Sequence, residues 1–378
     1  MDFEPSEDQR LLVESVSRML ADTYSFAQRK SYAQLEGGYS PAIWSQFAEQ
    51  GLLGLPFAED YGGFGGTAQE VMLVMQAFGR VLVLEPYFPT VVLAGAAINH
   101  AGSADQKAAL LPAIAEGSLK LSVAHGERQA RYDLTDVVTS AKRAKDGWVL
   151  EGSKTVVSHG EAADRIIVSA RTAGERHDES GVTLFLVDTG AAGVARRGYV
   201  SRDDTRAADL SLSNVHVTDA DVLGEVGNGL ATIRHVQENG IAAIGGETVG
   251  AMEAMNEMTL EYSKTRVQFG NPIGSYQVVQ HRMADMFMAQ EQGRSMAMLA
   301  TMSIDNPDPE ERARDIAMAK VGIGQAGRYV SQSAIQMHGG IGMTEEYAVG
   351  HYFRRCMVME RLFGDPAYWL NKLAADVT

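Results

Sequence analysis

Tyr262–Ile273, which reads YSKTRVQFGNPI, is the stretch of this sequence that says most about the fold. The residues before it carry apolar side chains at three- and four-residue spacing, which predicts a long helix over Ala231–Thr265. Gly270 favours the end of that helix, and Pro272 prevents it from restarting at once. Arg266 is therefore predicted to lie beside a chain reversal.

Arg266 and Phe269 in this stretch are candidate ligand-binding residues. A guanidinium beside a chain reversal can take a phosphate through two parallel hydrogen bonds. Phe269 could lie against an adenine ring, and Gln277 and Gln280 follow at the start of the next predicted helix. A helix end with a solvated arginine explains the same spacing equally well.

Gln336–Gly342, which reads QMHGGIG, is the second informative stretch. Its glycines follow a predicted helix and allow backbone amides to approach a phosphate or ribose, because no Cβ intervenes. A plain glycine-rich loop between helices remains the alternative. Gly322–Gly327 also matches a dinucleotide-binding fingerprint, but that motif requires a preceding strand. The residues before it are predicted to be helical, so these glycines favour close helix packing.

Helical patterns occupy both ends of the chain. The predicted helices are Glu7–Thr23, Pro41–Glu49, Thr67–Val81, Asp105–Glu116, Ala231–Thr265, Ser275–Met302, Pro309–Met337 and Tyr347–Met359. Ser40 and Ser103 are typical helix starts. Pro56–Gly63 is predicted to be a glycine-ended turn.

Short alternating segments occupy the middle. The predicted strands are Leu119–Ala124, Val137–Lys142, Trp148–Gly152, Arg165–Ala170, Val182–Asp188 and Leu210–Val217. Asp146-Gly147 indicates a hairpin turn. Six strands without intervening helices indicate an antiparallel barrel or sandwich. The predicted fold is α+β, with an N-terminal helical domain (1–118), a central β-domain (119–222) and a C-terminal four-helix bundle (223–378).

Composition excludes several classes of function. The net charge is −15 with no run of Lys or Arg, which argues against nucleic acid and anionic membranes as partners. The single Cys356 excludes an internal disulfide and a cysteine metal cluster, which fits a cytoplasmic setting. The acidic N-terminus lacks the layout of a signal peptide, and no apolar stretch is long enough to span a bilayer.

The α–β–α order and these motifs together resemble the acyl-CoA dehydrogenase family. The resemblance covers nearly the whole chain and includes Pro56–Gly63, Asp146–Lys154, Arg266–Ile273 and Gln336–Gly342. It implies a flavoprotein oxidoreductase of β-oxidation that oxidises the Cα–Cβ bond of a CoA thioester, with FAD bound across two subunits. The positions that it implies for the ADP half of FAD are Arg266, Phe269, Gly270, Gln277, Gln336, Gly339 and Gly340.

The sequence departs from the family pattern where the flavin ring should lie. The family's usual Thr-Glu-Pro and small, glycine-rich turn correspond to Ala124–Asp133, which reads AHGERQARYD and carries bulky charged side chains. The next ring-contacting stretch, usually Trp-Ile-Thr or Trp-Ile-Ser, reads Val156-Val157-Ser158. Only the serine matches.

The family's catalytic base is also missing, so no catalytic residue is assigned. The two family positions for it fall on Phe363 and Gly240, and neither can accept a proton. Glu247 lies two helical turns beyond Gly240 on the same face and could substitute, although a solvated or ion-paired glutamate explains it as well. His125 is a weaker substitute, expected at the rim of the barrel.

These departures favour one of three hypotheses. The sequence looks most like the small subunits of heteromeric pimeloyl-CoA and steroid side-chain dehydrogenases, enzymes of lipid or steroid catabolism. There, a larger partner holds the base, the flavin ring and the acyl-CoA, and the expected assembly is α2β2. The alternatives are a self-sufficient homo-oligomer that uses Glu247 as its base, and a non-catalytic scaffold that binds no cofactor.

Overall fold

The computed structural model describes residues 5–375, which form eleven α-helices and ten strands. The helices are α1 (Glu7–Thr23), α2 (Phe26–Tyr32), α3 (Pro41–Glu49), α4 (Ala68–Val81), α5 (Gly95–Ala101), α6 (Ala104–Ala115), α7 (Gly229–Thr265), α8 (Gln277–Ser303), α9 (Pro309–His338), α10 (Val349–Met359) and α11 (Pro366–Ala375). The strands are β1 (Leu121–Ala124), β2 (Ser140–Ala144), β3 (Gly147–Ser158), β4 (Arg165–Arg171), β5 (Val182–Asp188), β6 (Val194–Val200), β7 (Arg206–Val217), β8 (Val222–Leu223), β9 (Val267–Gln268) and β10 (Asn271–Pro272).

The chain divides into two compact units. The first comprises Met1–Ser31, Ala68–Val83 and Ile241–Thr378, and the second comprises Tyr32–Thr67 and Leu84–Gly240. The predicted order of helices, sheet and helices is confirmed. The boundaries of the three domains predicted from the sequence remain a prediction.

Glycines allow the helices of the first unit to pack closely. A Cβ on Gly79 of α4 would lie 2.0 Å from the carbonyl oxygen of Glu247 in α7, and one on Gly250 would lie 1.9 Å from that of Gln76. Helix α9 packs against α8, α10 and α11. The small-residue stretch around Glu247 therefore serves helix packing.

The dinucleotide-like glycines lie inside α9, as the sequence predicted. A Cβ on Gly322 would lie 2.6 Å from Met296 Cγ, and one on Gly324 would lie 3.0 Å from Pro366 Cγ. The C-terminal region also contains one helix that the sequence did not predict, α11, which packs against α9.

The core of the second unit is an eight-stranded sheet. Strands β6, β7, β3, β2, β4, β5 and β8 follow one another across it, and β1 pairs with β4. Pairing is antiparallel except for β1 with β4 and the single Ser140–Arg171 bridge between β2 and β4, which are parallel. The expectation of a purely antiparallel sheet is wrong at β1, because long connections allow strands distant in sequence to pair in parallel.

Several strands differ from their predicted extents: β3 continues to Ser158 instead of ending at Gly152, and β7 begins at Arg206 instead of Leu210. Val138 and Thr139 were expected in a strand, but their N–H groups donate to the Glu127 carboxylate, so β2 begins only at Ser140. Strand β6 was not predicted, because Arg196, Arg197 and Gly198 interrupt its apolar alternation and most of the strand is exposed. The hairpin predicted at Asp146-Gly147 is present between β2 and β3, but its turn residues are Lys145 and Asp146, and Gly147 is the first residue of β3.

Two negative findings concern residues 5–375. Within that range no helix is long and apolar enough to cross a membrane. The same residues contain no group of three His, Cys, Asp or Glu side chains that could hold a metal ion.

Candidate functional site

A two-residue hairpin follows α7 and carries the first motif. Strands β9 and β10 pair through Gln268 with Asn271 and Val267 with Pro272. Phe269 and Gly270 form the turn with φ of +52° and +85°, the left-handed values that a tight hairpin turn of this length favours. The predicted chain reversal is therefore present as a rigid hairpin.

The side chains of this hairpin face away from the protein. The Phe269 ring is 94% exposed, although a left-handed backbone is unfavourable for a residue with a Cβ. Arg266 uses only its backbone, donating to Tyr262 O at 2.8 Å and accepting from Ile273 N at 2.8 Å. Within residues 5–375 its exposed guanidinium has no hydrogen bond or ion pair, so all its donors are free for a ligand.

The second motif ends α9 in an exposed glycine pair, Gly339 and Gly340, which we call the glycine shelf. Gly339 ends the helix with φ +63° and ψ −140°. A Cβ on Gly339 or Gly340 would have no heavy atom within 4 Å among the described residues, and the same is true of Gly270. A ligand could approach the backbone at all three positions, whereas packed glycines such as Gly79 leave no such space.

An aromatic cluster joins the two motifs. The Tyr262 ring stacks on the His338 ring with centroids 4.6 Å apart, and Tyr347 lies 5.0 Å from His338. His338 is buried, and its Nδ1 lies 2.8 Å from Ala334 O. Burial lowers the pKa of His338, which keeps the imidazole neutral in the stack.

The remaining predicted site residues lie at the ends of two helices. Gln277 begins α8, and Gln336 lies in the last turn of α9; both are exposed. Gln280 instead donates to Gly274 O at 2.9 Å and steadies the connection into α8. Within the described range no side-chain hydrogen bond links one of the seven predicted positions to another, so they form an open surface.

In the second unit, the stretch expected to face a flavin ring forms an internal ion pair with a neighbouring strand. Lys154 of β3 is completely buried, and its Nζ donates to Glu127 Oε1 at 2.7 Å, Ser169 Oγ at 3.0 Å and His125 O at 3.1 Å. Glu127 also accepts hydrogen bonds from Gln129 and from the backbone N–H groups of Val138 and Thr139. The charged side chain at 127 therefore points inward.

Burial and the ion pair shift the pKa values of all three titratable groups of this cluster. Burial lowers the pKa of Lys154 to about 8, although Glu127 opposes the shift. Burial alone would raise the pKa of Glu127, but the attraction of Lys154 and the hydrogen bonds bring it down to about 2. Burial, followed by Lys154, lowers the pKa of His125 to about 3, and its Nδ1 lies 2.9 Å from Ser169 Oγ.

Neither family position for a base can take a proton. Phe363 adopts φ +61°, packs against the core of the first unit and accepts a hydrogen bond from Trp369 Nε1 at 3.0 Å. Gly240 is buried within α7. Both positions are filled by the packing of the protein itself.

Glu247, the substitute acid, is one half of a buried ion pair. Arg355 Nε and Nη2 donate to its two carboxylate oxygens at 2.6 and 2.7 Å. The glutamate is 3% exposed and the arginine 8%. Glu247 is thus the ion-paired residue that the sequence allowed as an alternative, with its carboxylate committed to Arg355.

Sequence reasoning missed the Lys154–Glu127 pair. The signal was present, since Lys154 falls at an inward position of the two-residue alternation set by Trp148 and Leu150. An inward lysine needs a buried partner, and Glu127 in the charged stretch before it was one candidate. The exposed guanidinium, aromatic ring and glycine backbone at the hairpin and the glycine shelf have the chemistry to bind an anionic, aromatic ligand.

Comparison with known proteins identifies one family over most of the chain. Three family models match: acyl-CoA dehydrogenase N-terminal domain at residues 6–118, middle domain at 122–215 and C-terminal domain at 227–378. The chain is 27% identical over 365 residues to the probable acyl-CoA dehydrogenase YngJ of Bacillus subtilis, with 95% of each chain covered.

Two solved structures show the likeness in three dimensions. The ChsE4-ChsE5 complex from Mycobacterium tuberculosis matches with a TM-score of 0.88 and 26% identity, covering 100% of this chain and 99% of that one. Butyryl-CoA dehydrogenase from Megasphaera elsdenii matches with a TM-score of 0.91 and 25% identity, with 100% of both chains covered.

Proposed function

This chain belongs to the acyl-CoA dehydrogenase family, and we propose that it is the small, non-catalytic subunit of a heteromeric member. In the proposed assembly a larger acyl-CoA dehydrogenase chain carries the catalytic base and the acyl-CoA. This chain completes the FAD site from its own hairpin and glycine shelf. The expected assembly is α2β2.

FAD is the cofactor of the family, and it accepts the β-hydrogen of the thioester as a hydride when bound. The free guanidinium of Arg266 would take a pyrophosphate oxygen, and the exposed Phe269 ring would stack on the adenine. Gly339 and Gly340 would let the backbone approach the same ligand, because a Cβ there meets no protein atom. Gln277 and Gln336 would supply amide donors at the rim.

The observation that carries the proposal is the contrast between the two halves of the expected site. The positions for the ADP half are exposed, and among residues 5–375 their side chains have no hydrogen-bond partner. The stretch for the ring half is tied inward by Lys154 and Glu127, and both base positions are closed by packing. A chain that had lost its function altogether would have no reason to keep an aromatic ring 94% exposed on a strained turn.

The likeness to a chain of the ChsE4-ChsE5 complex supports a heteromeric role, since that structure is a complex of two differently named chains and the match covers the full length of this chain. The self-sufficient alternative needs Glu247 as a base, and Arg355 occupies both oxygens of that carboxylate. The scaffold alternative leaves the unpartnered Arg266 and the exposed Phe269 unexplained.

The proposal predicts that the purified chain alone has no acyl-CoA dehydrogenase activity and gains it with a partner. The measurement is steady-state reduction of a dye acceptor by a panel of acyl-CoA thioesters. It is made on the chain alone and on the chain co-expressed with the dehydrogenase gene next to its own. Comparable turnover by the chain alone would contradict the proposal.

A further inference from the structure

The hairpin and the glycine shelf come from segments that are distant in the chain, one after α7 and the other after α9. Within residues 5–375 no side-chain hydrogen bond joins their predicted ligand-binding positions. A ligand that contacts both motifs nevertheless needs them at a fixed spacing, to within about 0.5 Å. We propose that His338 is the positioning residue that sets this spacing. The inference rests on the proposed function, because the ligand concerned is the ADP half of FAD.

His338 is attached directly to the glycine shelf. It is the last residue of α9, immediately before Gly339, and it is 3% exposed. Its Nδ1–H donates to Ala334 O at 2.8 Å, one turn earlier in the same helix, which fixes the orientation of the ring. The turn after the shelf also packs on this residue, since a Cβ on Gly342 would lie 3.1 Å from His338 Cβ. The backbone of the shelf therefore follows the position of His338.

The contact partner of His338 on the hairpin side is Tyr262 of α7. The two rings stack with centroids 4.6 Å apart and an angle of 28° between their planes. Tyr262 O accepts a hydrogen bond from Arg266 N at 2.8 Å, and Arg266 O accepts one from Ile273 N at 2.8 Å. A continuous series of contacts therefore runs from the shelf through His338 and Tyr262 to the backbone of Arg266.

Tyr347 adds a third ring to this cluster. Its ring centroid lies 5.0 Å from that of His338 and 6.4 Å from that of Tyr262, with interplanar angles of 49° and 64°. Aromatic pairs favour such tilted and edge-to-face arrangements. Each ring contacts the other two, so no ring can move without changing both of its contacts. Motifs restrained in this way lose little conformational entropy when they bind a ligand.

The histidine side chain has two properties that substitution can separate. Its flat ring stacks on Tyr262, and its Nδ1–H bonds to α9. Phenylalanine keeps the stack without the donor, and glutamine keeps a donor without the ring. Because His338 is buried, it acts through the positions of Gly339 and Arg266 and not by touching the ligand.

The test is an equilibrium flavin titration of the apo-complex of this chain with its catalytic partner, with ADP as a competing probe. His338→Ala should weaken the binding of both FAD and ADP on the order of tenfold, because it leaves the shelf and the hairpin free to shift. His338→Phe should recover most of this loss, and His338→Gln only a small part. Tyr262→Leu breaks the same stack from the other side and should resemble His338→Ala, so it replaces that variant if His338→Ala does not assemble.

A double-mutant cycle with Arg266 distinguishes positioning from a loss of stability. If His338 acts by placing Arg266, the effect of Arg266→Ala on FAD affinity should be smaller by about threefold or more in the His338→Ala background than in the wild type. A general loss of stability would leave the two effects additive, as expected of independent sites.

His351 provides a matched control in the first unit. It is also 3% exposed, its ring centroid lies 4.8 Å from that of Phe26, and its Nε2 lies 3.3 Å from Glu345 O. None of these contacts involves the hairpin or the glycine shelf. His351→Ala should therefore lower the thermal stability of the complex but leave its FAD affinity unchanged.

Three results would overturn the positioning role. They are unchanged FAD affinity in both His338→Ala and Tyr262→Leu, additive effects in the cycle, and a loss of affinity in His351→Ala as large as that in His338→Ala. If Arg266→Ala weakens FAD binding while His338→Ala does not, the positioning role fails and the proposed function stands. If the wild-type complex binds no FAD, or if Arg266→Ala binds it normally, the proposed function fails and the positioning role fails with it.

Discussion

At the scale of single residues, the sequence predicted the position of Arg266 in the fold but not its role. Its spacing predicted a chain reversal, and the hairpin confirms that. The spacing could not distinguish a ligand-binding arginine from a solvated helix end, because both place the side chain in water. Burial and side-chain contacts distinguish a residue free to bind a ligand from one that is not. Among the described residues the Arg266 side chain has no hydrogen-bond partner, whereas the Glu247 carboxylate is paired with Arg355.

Arg266→Ala should lower the affinity of the assembled complex for FAD by about tenfold to a hundredfold. Hydrogen bonds to a charged group contribute roughly 1.5–3 kcal/mol, and this variant removes a fork able to make two of them. Arg266→Lys should recover only part of the loss, since an ammonium keeps the charge without the fork. A flavin titration of the apo-complex measures both, and thermal melts should show little change.

The contradicting outcome for Arg266 is equally plain. Unchanged FAD affinity in Arg266→Ala, with the complex intact, would mean that the arginine is only a solvated residue beside the hairpin. The scaffold hypothesis would then explain the chain better than a cofactor-binding subunit does.

Glu247→Gln should separate stability from catalysis. The change leaves Arg355 charged and buried without its counter-ion, so we expect a loss of about 3 kcal/mol or more in the free energy of unfolding. Turnover per assembled complex should stay within about twofold of the wild type, whereas loss of a general base typically costs 10²–10⁴-fold. Chemical denaturation and steady-state kinetics of the same preparation measure the two quantities.

A matched double variant controls for the ion pair. Glu247→Gln/Arg355→Met removes both charges and should recover part of the lost stability. A drop in turnover of a hundredfold or more in Glu247→Gln, with the complex still assembled, would show that Glu247 is the base after all.

At the scale of helices and strands, sequence periodicity predicted most elements because their burial is regular. The predicted limits of α1, α3 and β5 agree with the structure, and Ser40 and Ser103 cap α3 and α6 as expected. The prediction failed where contacts distant in sequence decide the outcome. Strand β2 starts late because Glu127 takes the N–H groups of Val138 and Thr139, and β1 pairs in parallel with a strand some forty residues away.

The same reasoning explains why only half of the candidate site was predictable. The hairpin and the glycine shelf depend on local turn conformation, which glycine and proline in the sequence predict. The ring-side stretch depends on the burial of Lys154 against Glu127, an interaction across 27 residues of chain. The charged residues at 125–131 predicted an obstructed surface. In the structure Glu127 faces inward and pairs with Lys154, whereas Arg128 and Arg131 face solvent.

At the scale of the whole molecule, the chain has the fold of an acyl-CoA dehydrogenase with unequal halves of the cofactor site. The motifs proposed for the ADP half of FAD are exposed, while neither family position for the base carries a side chain that can accept a proton. The proposed function explains the sequence departures by one cause, the location of catalysis in a partner chain. Its central claim is that FAD requires both chains.

The most direct measurement of that claim is the ratio of flavin to polypeptide, in the chain purified alone and in the complex purified with its partner. Absorbance of released FAD, divided by chain content from quantitative amino-acid analysis, gives the ratio. The account predicts little or no FAD on the chain alone and about one FAD for each pair of unlike chains in the complex. A yellow, active homo-oligomer with one FAD per chain would contradict it.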